Sequence, residues 1–126
     1  MKQVLLSALL FLLCLSFCLV CLNSVRQTAD RSLCLLRRSR FLASQHSFAS
    51  AVSVLEQAES LWQEKEGFFG AILRHDPLDE VMVGFAALRQ YLLLQDLDDF
   101  MASSSELAAA IEHLQQMERP LLQNIL

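Results

Sequence analysis

His75 and Asp79 stand four residues apart just after a stretch broken by Gly67, Gly70 and Pro77. At a helix start that spacing lets an imidazole and a carboxylate meet on one face. Such a pair can serve as half a metal site or as an acid–base couple. A metal site needs three or four ligands, and His46 and His113 have no fixed relation to the pair. The competing role is structural: His75 closes the loop onto the helix and hydrogen-bonds Asp79. The residues favour the structural role, so no metal and no cofactor is expected. Trp62, close to Phe68 and Phe69 in sequence, is either the wall of a peptide pocket or the core that fixes a bend. Aromatic clusters at bends are more often core.

Cys14, Cys18 and Cys21 are spaced four and three apart, so one helix face carries all three. Cys18-Leu19-Val20-Cys21 matches a redox C-x-x-C, but that chemistry needs an aqueous surface. Inside an apolar helix these small residues suit helix–helix packing. Cys34 stands alone outside that segment and can pair only between chains, in a homodimer. Ser103-Ser104-Ser105 lies within a helical pattern, with no nucleophile elbow. Gly67, Gly70 and Gly84 have no phosphate-binding spacing. No catalytic residue and no small-molecule substrate is indicated.

Three amphipathic stretches must position these residues. In the first, Phe41, Phe48, Val52, Leu55 and Trp62 form one helical stripe. Asp76 then offers an N-cap and Pro77 a first helical position. Leu78, Val81, Phe85, Leu88 and Leu92 follow as the second stripe. A short turn capped by Asp96 or Asp98 predicts an antiparallel third helix through Phe100, Leu107, Ile111 and Leu114. That helix is expected to end before Arg119-Pro120, leaving an apolar tail docked on the bundle. A faint repeat matches Phe48, Leu55, Ala58 and Trp62 to Phe100, Leu107, Ala110 and Leu114 at an offset of 52.

Ahead of all this, Val4 to Leu22 is 19 residues without charge, Gly or Pro. A bilayer core of about 30 Å needs about 20 such residues. A cleaved signal peptide is the rival reading, but its apolar region is usually about 7–15 residues before a small-x-small site. No such site follows Leu22, so an uncleaved anchor is expected, and a secreted soluble helical protein is the alternative. Residues 24–40 carry five arginines against Asp30, net +4, while residues 41–126 are net −9. The acidic body excludes a nucleic-acid partner. The basic stretch either suits anionic lipid headgroups or simply marks the membrane boundary.

The layout resembles an uncharacterised bacterial family of single-span helical membrane proteins, domain-of-unknown-function family four-three-six-three. Carrying the resemblance are the Met-Lys start into the anchor, and Phe48, Ala51 and Leu55 before Trp62. His75 with Leu78 and Asp79, Leu88 with Tyr91, and the terminal Asn124-Ile125-Leu126 complete it. The Leu- and Arg-rich composition, the anchor cysteines, Pro77 and Leu121 depart from it. The resemblance implies a fold and a membrane location, no activity, and a multi-span membrane protein as partner. The last three residues are either a C-terminus held by a partner or part of the docked tail.

The expected fold is all-α: a transmembrane anchor (1–23), a basic helical segment (24–40) and an acidic antiparallel three-helix domain (41–126). Its helices are expected at about 41–66, 77–94 and 98–117. The expected function is a membrane-anchored, non-catalytic interaction or scaffold protein, with a metal sensor or enzyme built on His75 and Asp79 as the alternative. Counting basic residues beside the span puts the domain in the cytoplasm. The short basic start of the resembled family implies the outside, which is preferred.

Overall fold

A computed structural model describes the backbone of residues 1–67 and 75–125, and the side chains of 1–67 and 78–116. Among the described residues four helices are present: α1 (Lys2–Ser44), α2 (Phe48–Glu64), α3 (His75–Leu93) and α4 (Leu97–Ile125). Among the described residues there is no strand. The all-α class is as expected, but the bundle has four helices rather than three. The missing partner is the second half of α1, which buries Val25, Ala29, Leu33, Leu36 and Ala43.

α1 and α2 form one antiparallel hairpin, with Ser39 Oγ donating to the Ala51 carbonyl across it at 2.8 Å. α3 and α4 form the other. α1 also lies against α4 and α2 against α3, so the four helices close a ring. All three stripes read from the sequence face inward from Leu55 onward: Leu55, Trp62, Phe85, Leu88, Phe100 and Ile111 are fully buried. Phe41, assigned to the first stripe, is instead exposed on the last turns of α1.

The expected 41–66 helix is divided at Gln45–Ser47. There His46 takes φ of 61°, and the Ser47 N–H donates back to the Leu42 carbonyl at 2.9 Å. This is a helix C-cap in left-handed geometry, normally glycine's place. Because His fills it, no Gly or Pro announces the break. The second hairpin turns the same way: Gln95 has φ of 57°, and the Asp96 N–H donates to the Tyr91 carbonyl at 2.9 Å. The other end of the expected third helix also moves. α4 runs through Pro120 to Ile125: proline's fixed φ is compatible with a helix, although it removes one backbone hydrogen bond and crowds the carbonyl four residues earlier. The side chains of that last segment, and so the docking of the tail, lie outside the described residues.

The two turns reveal the true internal repeat, at an offset of 49 rather than 52. His46.. Ser47 and Ala51 correspond bond for bond to Gln95, Asp96 and Phe100. Buried positions follow the same offset: Ala29 with Leu78, Ser39 with Leu88, Ala43 with Leu92, Ala51 with Phe100, Leu55 with Ser104 and Ala58 with Leu107. In each of these pairs one member is large and the other small. Two other buried pairs at this offset, Leu36 with Phe85 and Trp62 with Ile111, are large on both sides, so the two hairpins share buried positions while sharing almost no residue identities.

Candidate functional site

Trp62 lies fully buried at the end of α2, which assigns it to the core. Phe68 and Phe69 lie outside the described residues. His75 opens α3, but its side chain is also outside them, so its pairing with Asp79, which is exposed, stays with the sequence reading. Tyr91 is half-buried beside a groove of about 290 Å³ between α3 and α4. The side chains of Asn124 and Ile125, and all of Leu126, fall outside the described residues. The three anchor cysteines are divided: Cys14 and Cys18 are exposed, whereas Cys21 is 3% exposed where α1 enters the bundle. Among the described residues no three His, Cys, Asp or Glu side chains gather as a metal group.

A larger groove, about 550 Å³, runs between α1 and α4. It starts at Leu19 and Leu22, at the end of the apolar run. Asn23 and Arg26 come next along α1, then Asp30 and Arg37, with Leu33 beneath. α4 supplies the opposite wall with Glu112, Gln115 and Gln116. Gln115 Nε2 donates to Asp30 Oδ1 at 2.6 Å and fixes the helix spacing. Among the described residues four charges therefore line this groove, two of each sign. Sequence reasoning missed it because its two walls are about 85 residues apart, as Gln115 and Asp30 are, and no local pattern joins them.

Two arginines tie the hairpins together. Arg89 Nη1 on α3 reaches Glu59 Oε1 on α2 at 2.8 Å, and the same oxygen accepts from Gln63 Nε2 at 3.0 Å. Glu59 is 6% exposed. Arg40, which is Arg89's counterpart at the offset of 49, donates from α1 to Ser105 Oγ on α4 at 3.3 Å. At the start of α4, Asp96 Oδ1 accepts the Asp99 N–H at 3.2 Å, which selects Asp96 as the cap. The Asp99 carboxyl sits above its ordinary 3.8, first through a hydrogen bond with Asp96 and then through repulsion from it.

Comparison with curated proteins and with solved structures gives no match. The profile of a domain of unknown function (DUF4363) matches residues 21–125, which is the bundle from the point where α1 becomes buried. By that match the chain belongs to the DUF4363 family, whose function is unknown.

Proposed function

We propose that this chain is a single-pass membrane protein whose bundle is a non-catalytic interaction module held at the bilayer surface. One observation carries the reading: α1 changes character along its length. Val4, Leu5, Leu9, Leu10, Phe11, Leu13, Phe17 and Val20 are all more than half exposed, and just 6% of the most apolar stretch is buried. From Cys21 on, the same unbroken helix is part of the core. A core helix of a water-soluble protein hides such residues, because each large apolar side chain left in water forgoes about 1.5–3 kcal/mol. α1 is also long enough. Its 43 residues extend about 65 Å, of which a bilayer core takes about 30 Å.

An acidic bundle on a rigid stalk, with grooves but no reactive constellation among its described residues, suits binding rather than turnover. The partner we favour is a multi-span membrane protein. The bundle is placed outside the cell, in keeping with the short basic start before the span. Cys34 is exposed on α1, beyond the apolar segment that holds Cys14 and Cys18. A membrane-impermeant maleimide on intact cells should therefore modify Cys34. Labelling only after lysis would reverse the orientation. Cross-linking in the native membrane should capture a membrane protein. Recovery of the full-length chain in a detergent-free high-speed supernatant would end the membrane reading, and a mature N-terminus beyond Ala29 would favour a secreted protein.

A further inference from the structure

The groove between α1 and α4 begins where the apolar run ends, and its charges are ordered along the helix axis. Asn23 and Arg26 lie one and four residues past Leu22, so they stand about 2 and 6 Å beyond it. Asp30 is one further turn out, at about 12 Å. Glu112 faces the same space from α4. Arg26 and Glu112 make no ion pair among the described residues.

This order matches a zwitterion standing on a bilayer. A lipid phosphodiester lies nearest the hydrocarbon, and in an aminophospholipid a primary ammonium lies farther out, two carbons away. Among the described residues a purely anionic headgroup would meet one nearby cation, Arg26, against the carboxylates of Asp30 and Glu112, because Arg37 stands about 22 Å past Leu22. A choline headgroup has the right charges, but its quaternary nitrogen has no N–H to donate to the carboxylates. A primary ammonium has three.

We propose that this groove seats the headgroup of an aminophospholipid such as phosphatidylethanolamine. The phosphodiester meets Arg26 and Asn23, and the ammonium meets Asp30 and Glu112. Leu19 and Leu22 lie against the glycerol and first acyl carbons. The site rests on the membrane reading above, because lipid reaches it only if α1 spans.

The test uses the full chain in non-ionic detergent with an equimolar mixture of phosphatidylethanolamine, phosphatidylcholine and phosphatidylglycerol of identical acyl chains. Native mass spectrometry reads which lipid is retained. One phosphatidylethanolamine should be held, about tenfold over the other two, the factor that about 1.4 kcal/mol supplies. Arg26→Gln should lose that adduct. Glu112→Gln should keep a lipid but shift its preference toward phosphatidylglycerol, which a merely structural role would not do. Arg38→Gln, on the exposed part of α1 away from the groove, should change nothing. Free phosphoethanolamine should leave no adduct; binding as strong as the lipid's would overturn the lipid source. Equal retention of all three lipids, an unaffected Arg26→Gln, or equal losses in Arg26→Gln and Arg38→Gln would overturn the site. Carbonate extraction of the same chain from membranes separates the two readings. A pelleted chain without lipid preference removes the groove assignment alone, whereas an extracted chain removes the membrane reading.

Discussion

Glu59 and Arg89 form the ion pair whose loss should be felt most. The Glu59 side chain is 8% exposed and Arg89's is 35%, so the carboxylate depends on its partner more than the guanidinium does. Arg89→Ala should cost about 1–3 kcal/mol, the penalty of a buried carboxylate that keeps the Gln63 hydrogen bond but loses its countercharge. Replacing both residues, as Glu59→Leu with Arg89→Met, should recover most of that, since a buried pair can be exchanged for apolar packing. Urea unfolding of the four-member set measures it. Asp99 works in the opposite sense. Its carboxyl is raised because the neighbouring Asp96 first hydrogen-bonds it and then repels its charge. The folded chain thus holds that proton more tightly than the unfolded chain. The resulting stabilisation is full below the ordinary 3.8 and is lost as pH climbs through the raised value. Asp99→Asn should therefore unfold at an equal or higher temperature than the parent at neutral pH, with less difference between mildly acidic and neutral conditions.

The helices depend on two turns that use the wrong residues well. His46 and Gln95 occupy left-handed backbone that costs a side chain about 1–2 kcal/mol. Returning hydrogen bonds from Ser47 and Asp96 hold them there. Gln95→Gly should raise stability by up to about 1 kcal/mol, the strain relief less glycine's extra unfolded-state entropy. A fall in melting temperature would show that the Gln side chain itself matters. Gly84 is the reverse case, a glycine needed for closeness rather than dihedral freedom. A Cβ there would meet Leu107 Cδ1 at 2.7 Å. That methyl is the end of a flexible side chain, so Gly84→Ala should be tolerated. Gly84→Leu should cost about 1–3 kcal/mol by overpacking the α3–α4 seam. Thermal unfolding of both variants distinguishes a tight seam from a loose one.

For the molecule as a whole, the unbroken α1 changes what its arginines can do. Arg37 and Arg40 lie 15 and 18 residues past Leu22, which is about 22 and 27 Å along the axis. At physiological salt the influence of an exposed charge decays over about 8 Å. On an upright helix Arg26 is the arginine nearest the lipid phosphates, and the basic stretch does not reach them as a block. It belongs to the bundle, where Arg40 reaches Ser105. Removing residues 2–20 should therefore leave a bundle that stays in a detergent-free supernatant and keeps its helical circular dichroism. Aggregation of that shortened chain would mean that the first half of α1 stabilises the fold and is not only a tether.

The amino-acid sequence alone determined the helical class, the apolar span and most of the core, because all three are local patterns. A run of 19 uncharged residues or a stripe such as Val81, Phe85 and Leu88 needs no partner to be recognised. The family was legible too, through Trp62, His75, Asp79 and the residues around them. What tertiary structure decided was everything that depends on distant positions or on backbone dihedrals without a signature residue. His46 broke a helix where no glycine warned of it. That the second half of α1 is a bundle helix was not legible, because its small buried residues, Ala29, Ser32 and Ala43, make a weak stripe. The 49-residue repeat was hidden because its equivalent buried positions, such as Ala51 and Phe100 or Trp62 and Ile111, hold different residues. The groove joins residues far apart in the chain, so only the folded contact between α1 and α4 could assemble it.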